Sequence, residues 1–137
     1  MKLDHIGIAV RSIEERLKLW RDIFNVQVEA IEEVTEQKVR VAILKVGEVT
    51  IELLEPLTDN SPVAKYIAKR GEGIHHIGFE VADLENKIEE FKKHNLRMTD
   101  DTPRKGAHGS RIAFIHPVST GGILIELTEK ENKKKEV

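Results

Sequence analysis

The sequence contains no cysteine among its 137 residues. This absence excludes disulfide bonds, thiolate nucleophiles and the cysteine-ligated zinc and iron–sulfur sites. A metal ion bound by this chain would therefore take nitrogen and oxygen ligands, which histidine and carboxylate side chains supply.

The sequence also lacks an excess of charge of one sign and a long hydrophobic run. Its 22 lysines and arginines nearly balance 24 aspartates and glutamates, so no nucleic-acid partner is indicated. No stretch approaches the roughly 18 apolar residues of a membrane span, and the amino terminus has no signal-peptide hydrophobic region. We therefore expect a soluble, cytoplasmic protein with no membrane or nucleic-acid partner.

The length of the chain is typical of one domain. We expect that domain to cover residues 1–130. The remaining segment, 131–137, contains three consecutive lysines and no apolar periodicity, which predicts a charged tail.

Within the predicted domain the sequence repeats itself. An apolar strand around His5 leads into a helix with Ser12 as its N-cap, and an equivalent strand around His76 leads into a helix capped by Asp83. Apolar residues follow each cap at helical spacing, and in the first helix this stripe includes Trp20 and Phe24, which we expect in the core.

Three β-rich segments follow each of these helices, which predicts two βαβββ units. The segments are 26–33, 39–46 and 49–54 in the first half and 96–99, 110–115 and 122–129 in the second. The units cover residues 3–56 and 74–129. Ser61, Pro62 and Gly71 predict the start and end of a linking helix over residues 61–70.

Each unit carries a histidine in its first strand and a glutamate in its last. These residues are His5 and Glu52 in the first unit and His76 and Glu126 in the second. Such groups are costly inside an apolar strand unless they are paired or coordinated. Alternation along the first strand places His5 on the face opposite the helix, beside small residues that leave space.

If the two units pack with pseudo-twofold symmetry, both pairs converge and form an N2O2 site for one divalent cation, with positions left for water or substrate. Cobalt, manganese, nickel, iron and zinc all suit such a site. The alternative is that both glutamates face solvent and both histidines are satisfied within the core.

The ordered motifs resemble those of the vicinal oxygen chelate (glyoxalase/bleomycin resistance/dioxygenase) superfamily and, more narrowly, of the methylmalonyl-CoA epimerases. They are Asp4-His5-Ile6-Gly7-Ile8, Ile51-Glu52-Leu53-Leu54-Glu55-Pro56, Gly71-Glu72-Gly73-Ile74-His75-His76, Phe114-Ile115-His116-Pro117 and Leu124-Ile125-Glu126-Leu127. The resemblance implies an α+β fold in which two tandem βαβββ modules form a curved, barrel-like mixed sheet around a metal site. It also implies a homodimer.

The same resemblance implies that His5, Glu52, His76 and Glu126 bind one divalent metal ion, by likeness cobalt, although Glu52 is often glutamine in these epimerases. The implied reaction is the epimerisation of (2R)- and (2S)-methylmalonyl-CoA by abstraction of the α-proton, with Glu126 as one catalytic acid/base. Some relatives carry a second catalytic glutamate at the position of Val41, which cannot transfer a proton. Glu36 and a metal-bound water are then candidates for the second group.

Two other functions fit the scaffold. Glyoxalase I shares the four-ligand pattern but acts on a glutathione hemithioacetal, and other members of the superfamily are non-catalytic binding modules. For the acyl-CoA substrate, the loop 103–111 offers glycines and three cations that could contact phosphates, although its composition also fits an exposed hairpin.

Overall fold

The computed structural model describes residues 1–131 and contains eight strands and three α-helices. The first half comprises β1 (Lys2–Ala9), α1 (Ile13–Trp20), β2 (Gln27–Val34), β3 (Val39–Val46) and β4 (Val49–Pro56). Helix α2 (Pro62–Arg70) links it to β5 (Gly73–Glu80), α3 (Leu84–Lys93), β6 (Arg104–Lys105), β7 (Arg111–Ile115) and β8 (Ile125–Glu129). The six residues 132–137 of the predicted charged tail lie outside the described residues.

All eight strands form one curled, mixed sheet in the order β2-β3-β4-β1-β5-β8-β7-β6. In each half the first strand pairs in parallel with the last, β1 with β4 and β5 with β8. The halves join through antiparallel pairing of β1 with β5 at the centre. This arrangement confirms the predicted α+β class and the two βαβββ modules in a curved mixed sheet.

The predicted caps explain where the helices begin and end. The hydroxyl of Ser12 accepts from the Glu15 N–H at 3.2 Å, that of Ser61 from Ala64 at 3.0 Å, and the Asp83 carboxylate from Asn86 at 3.2 Å. Helix α2 ends at Gly71, whose φ of 77° lies in the left-handed region. None of the helices within residues 1–131 is long and apolar enough to cross a membrane.

The core lies on both faces of the sheet. One buried cluster packs beneath α1 and another beneath α3. The third lies on the opposite face, where Val41, Ile43 and Leu54 pack with Val63 and Ile67 of α2. Ala9, the last residue of β1, belongs to the cluster on this face, whereas the next residue, Val10, belongs to the cluster under α1, because successive extended residues point to opposite faces.

Two sequence predictions are wrong. Segment 96–99 is not a strand: Met98 forms a single bridge to Ile115, and Leu96 and Met98 instead pack against the core beneath α3. The two-residue strand β6 takes the sheet edge beside β7. Phe24 is 55% exposed because α1 ends at Trp20, so the helical stripe does not continue that far.

Candidate metal centre

Two rows of residues cross the sheet on its concave face. In one row Gly7 of β1 lies between Glu52 of β4 and His76 of β5. In the other row Gly78 of β5 lies between His5 of β1 and Glu126 of β8. Each row thus contains a glutamate, a glycine and a histidine from adjacent strands. The glutamate and the glycine of a row belong to one repeat, and the histidine belongs to the other repeat.

The glycines give the histidine rings their space. A Cβ added to Gly78 would lie 2.0 Å from Cε1 of His5, and one added to Gly7 would lie 2.2 Å from Cε1 of His76. Real Cβ atoms do not approach other atoms so closely, so each imidazole fills the space above the glycine of the opposite strand. The small residues of β1 and β5 therefore allow the two histidines to lean toward each other.

The structure brings the four sequence-predicted side chains together. Nε2 of His5 lies 3.0 Å from Nε2 of His76, and the two oxygens of Glu126 lie 3.1 Å from the first and 3.3 Å from the second. Glu52 stands farther out, with Oε2 3.8 Å from Nδ1 of His5. His5, His76 and Glu126 are 2%, 4% and 7% exposed, which makes this the main buried polar cluster within residues 1–131.

A β-bulge precedes each histidine. Between the paired residues Leu3 and His5 of β1, Asp4 has no partner on β5, and His75 of β5 is likewise left over beside β1. A bulge turns its extra residue out of the normal alternation. As a result, Asp4 Oδ2 lies 2.7 Å from Nδ1 of His5, and Nδ1 of His75 lies 2.9 Å from Nδ1 of His76.

These contacts fix how the two histidines face the centre. In each ring Nδ1 contacts the preceding residue, and Nε2 points toward Glu126 and the other histidine. Such outer partners set the orientation and tautomer of metal-binding histidines. The sequence analysis did not assign this orienting role to Asp4 or His75. The sequence feature that could have indicated the role is that each of them directly precedes a ligand histidine.

The two histidines have opposite electrostatic surroundings. Burial disfavours the imidazolium of His5, but hydrogen bonds to the Asp4 and Glu126 carboxylates outweigh burial and raise the pKa of His5 to about 11. Burial lowers the pKa of His76 to about 3, against the opposing charge of Glu126, and the neighbouring His5 and His75 add to the lowering. The protein without metal therefore holds one charged and one neutral imidazole at neutral pH.

The two glutamates also differ. Burial opposes ionisation of Glu126, yet the hydrogen bond with His5 keeps the pKa of Glu126 below its ordinary value. Burial and the nearby charge of Glu126 raise the pKa of Glu52 to about 7, against the opposing effect of His5. Glu126 is thus the firmly ionised carboxylate of the pair.

The donor set fits a divalent cation. Two ligands each about 2.1 Å from one ion are about 3.0 Å apart in octahedral and about 3.4 Å apart in tetrahedral geometry. The distances of 3.0, 3.1 and 3.3 Å among the two Nε2 atoms and Glu126 match this range. One ligand atom from each of His5, Glu52 and His76 also lies within 4.8 Å of the others.

The centre opens into a cavity of about 800 Å³. Its apolar wall comes from β2, β3 and α2 and includes Val41. Glu36 is not among the lining residues, because its carboxylate accepts a hydrogen bond from the Lys105 N–H at 3.1 Å. The cavity is large enough for a small organic ligand beside the four polar side chains.

The loop 103–111 borders this cavity, but two of its cations are engaged elsewhere. Arg104 pairs with Asp100 at 3.2 Å, and Arg111 contacts Glu85 and Glu129 on the far side of β7. Arg104 and His108 line the cavity mouth. His116 caps the following turn, where its Nδ1 accepts from the Val118 N–H at 3.0 Å.

The contact between Asp4 and His5 leads to a first prediction. Replacing Asp4 with asparagine should weaken cobalt binding by about 10- to 100-fold, because loss of an outer carboxylate lowers the basicity of the histidine ligand. Isothermal titration with cobalt measures the effect. Asp4 also binds Lys130 at 2.6 Å, so Lys130→Met is the control and should leave the affinity within about threefold. Equal losses in both variants would assign the effect to Lys130 instead.

The raised pKa of Glu52 leads to a second prediction, on the protein without metal. The folded protein disfavours the ionised form of Glu52, so ionisation of this side chain lowers the free energy of unfolding. This loss of stability is absent below pH 4.5, the ordinary pKa of the group, and increases until the pH reaches about 7. The change in free energy of unfolding caused by Glu52→Gln in the metal-free protein should therefore be more stabilising at pH 8 than at pH 4, by on the order of 2 kcal/mol. Urea unfolding with EDTA at both pH values measures this, and a difference independent of pH would contradict it.

The chain is similar in sequence and in fold to proteins of one superfamily. Residues 4–114 match the Glyoxalase/Bleomycin resistance protein/Dioxygenase superfamily. An uncharacterised Bacillus subtilis protein is 42% identical, with 93% of this chain and 91% of that protein covered. The mitochondrial methylmalonyl-CoA epimerase of Dictyostelium discoideum is 36% identical, with 94% and 78% covered. A variant of the Streptomyces coelicolor methylmalonyl-CoA epimerase, solved with 2-nitronate-propionyl-CoA, is 38% identical with a TM-score of 0.91 and 95% and 94% covered.

Proposed function

The chain belongs to the Glyoxalase/Bleomycin resistance protein/Dioxygenase superfamily and, within it, to the methylmalonyl-CoA epimerase family, and we propose that it interconverts (2R)- and (2S)-methylmalonyl-CoA at a divalent metal centre. The observation that carries the proposal is the convergence of His5, His76 and Glu126 within 3.0–3.3 Å, with Glu52 beside them, at the base of the cavity. His5, Glu52, His76 and Glu126 would hold the metal.

Epimerisation removes the proton from the carbon between the thioester and the carboxylate and returns it to the other face. A bound divalent cation would supply Lewis acidity, stabilising the negative charge that develops on the thioester oxygen. The residues of the chain bind, orient and shield the substrate. The buried wall that includes Val41 and Ile43 excludes water from the carbanionic carbon, which prevents its uncontrolled protonation.

Glu126 is the residue we assign to proton transfer. It is ionised although buried, and it stands on β8 next to both histidines, so it can accept a proton from a substrate held at the centre. Glu52 occupies the equivalent position in the other repeat but has its pKa raised to about 7. The two carboxylates are therefore not equivalent in the metal-free protein, and we assign proton transfer to Glu126 and not to Glu52.

Exchange of the α-hydrogen with solvent tests the proposal. The protein is stripped with EDTA, reloaded with cobalt or manganese, and incubated with methylmalonyl-CoA in deuterated water while α-deuteration is followed by mass spectrometry. We expect deuteration that requires the metal, together with racemisation of either stereoisomer. Propionyl-CoA, which has the thioester but lacks the carboxylate, is the control and should exchange much more slowly.

Failure of exchange with every metal would reject the epimerase. Turnover of methylglyoxal with glutathione would then assign the glyoxalase I activity that also fits the scaffold. Tight binding of an acyl-CoA without any exchange would assign a binding module.

Three finer features are part of the proposal and have their own measurements. Cobalt is the proposed native metal, which elemental analysis of protein purified without added metal would identify. The proposed homodimer is checked by analytical ultracentrifugation. The proposed cytoplasmic location contrasts with the relative from Dictyostelium discoideum, which is named as mitochondrial, and cell fractionation would decide it.

A further inference from the structure

The two histidines of the centre differ in the partner of their outer ring nitrogen. Nδ1 of His5 lies 2.7 Å from a carboxylate oxygen of Asp4. Nδ1 of His76 lies 2.9 Å from Nδ1 of His75, another imidazole. For Nε2 of each histidine to bind a metal ion, the ring proton must be on Nδ1. His75 must therefore accept the His76 N–H with its own Nδ1 and carry its proton on Nε2.

The two outer partners differ in how strictly they must be oriented. The Asp4 carboxylate has two oxygens with about four lone pairs, so it accepts the His5 N–H from several directions. The His75 ring has one acceptor lone pair, which lies in the plane of the ring. Rotation of the His75 side chain therefore breaks its contact with His76, and this contact needs support that the carboxylate does not.

The support for the His75 ring comes from α2. The ring of Tyr66 makes an edge-to-face contact with His75, with centroids 5.1 Å apart and planes at 72°. The hydroxyl of Tyr66 donates to the carbonyl oxygen of Ile74 at 2.6 Å, which ties the tyrosine to the residue before His75. The His75 ring also meets the ring of His76, with centroids 5.2 Å apart and planes at 87°. His75 thus contacts one ring from α2 and one ring of the metal centre.

This support is needed because His75 is the residue left over by a β-bulge. It has no partner on β1, so the strand pairing that fixes its neighbours does not fix His75. Resting on the metal centre of the proposed function, we propose that Tyr66 is a positioning residue of that centre. Its ring holds the ring of His75, and His75 in turn holds the Nδ1–H of His76.

Tyr66 also packs against the core cluster between α2 and the sheet, so its loss affects stability as well. The matched control is Ile67→Val, which trims the next residue of the same helix in the same cluster and leaves Tyr66 in place. Tyr66→Phe is the conservative variant. It keeps the ring and removes only an exposed hydrogen bond, which water replaces.

Titration of the metal-stripped protein with cobalt is the first readout. Tyr66→Leu should lower the affinity by about fivefold, the loss expected from one aromatic contact. Tyr66→Phe and Ile67→Val should stay within about twofold of the unmodified protein. His75→Ala should lower the affinity by about 10- to 100-fold. In the His75→Ala protein, Tyr66→Leu should have no further effect, because the tyrosine acts through His75.

The second readout needs no metal. Nitrogen-15 NMR of the histidine rings distinguishes the two tautomers of His76. In the metal-free protein we expect the Nδ1–H form alone, because Nε2 of His76 accepts from Nε2 of His5 at 3.0 Å. Tyr66→Leu should add the Nε2–H form, in which Nε2 donates to Glu126. Tyr66→Phe and Ile67→Val should keep one form, since looser packing alone does not move this proton.

Weaker cobalt binding together with mixed His76 tautomers, in Tyr66→Leu and not in the two controls, supports the proposal. Unchanged affinity in Tyr66→Leu, an equal loss in Ile67→Val, or an additive loss in the His75→Ala protein overturns it. A single His76 tautomer in every variant also overturns it. If the unmodified protein binds no cobalt, the proposed metal centre fails, and the tautomer measurement still decides whether Tyr66 positions His76. Absence of methylmalonyl-CoA turnover would reject the epimerase and leave both readouts unaffected.

Discussion

Glu126→Gln should lower the rate of α-proton exchange by about 10²- to 10⁴-fold, the usual contribution of a positioned acid/base. The carboxylate of Glu126 is ionised and lies 3.1 Å from His5 and 3.3 Å from His76, whereas a glutamine amide at the same place cannot accept the proton. The rate is measured at cobalt concentrations well above the dissociation constant of the variant. Under those conditions a loss of rate is not a loss of metal.

The matched control for this prediction is Glu52→Gln, the same substitution at the equivalent strand position of the other repeat. Its amide oxygen still reaches the centre, and proton transfer does not depend on Glu52 in our account. We expect exchange within about tenfold of the unmodified protein. Equal losses in the two variants would mean that the carboxylates share the role, and loss in Glu52→Gln alone would reverse their assignment.

Gly78→Ala should abolish measurable cobalt binding, with a loss of affinity of at least about 100-fold. The new Cβ would lie 2.0 Å from Cε1, 2.4 Å from Nε2 and 2.5 Å from Nδ1 of His5. The ring cannot turn aside easily, because Asp4 and Glu126 hold both of its nitrogens. We also expect destabilisation by about 1–3 kcal/mol, the usual cost of overpacking a buried site.

Gly73→Ala is the control for the glycine prediction, since Gly73 lies on the same strand but has room. An added Cβ there would meet only the hydroxyl of Tyr66, at 3.8 Å. Cobalt titration and urea unfolding of both variants make the comparison. Gly78→Ala protein that binds cobalt like the unmodified chain would show that the position of the His5 ring is not needed for the centre.

The four residues of the centre could be predicted from sequence because the chain is duplicated. A histidine in the first strand and a glutamate in the last strand recur in each repeat, and the structure brings both pairs to one point. The repeat also predicts the sheet, since the parallel pairs β1–β4 and β5–β8 place each histidine strand next to its glutamate strand.

The contacts around the centre could not be predicted in the same way. The roles of Asp4 and His75 depend on two bulges, and a bulge is a property of the register between β1 and β5, not of either strand alone. The tight contact between Gly78 and His5 likewise depends on pairing across the two repeats. The alternating apolar residues Leu96 and Met98 misled the strand prediction, because two residues that pack against the core beneath α3 give the same alternation as a strand.

Anomalous diffraction at the cobalt edge, on crystals grown with cobalt, tests the metal centre most directly. We predict one ion per chain, about 2.0–2.2 Å from Nε2 of His5, Nε2 of His76 and the carboxylate oxygens of Glu52 and Glu126. The acidic cluster of Asp83, Glu85 and Glu129 is the other group of potential ligands within the described residues. Cobalt bound at that cluster, or no cobalt between the two histidines, would contradict the account.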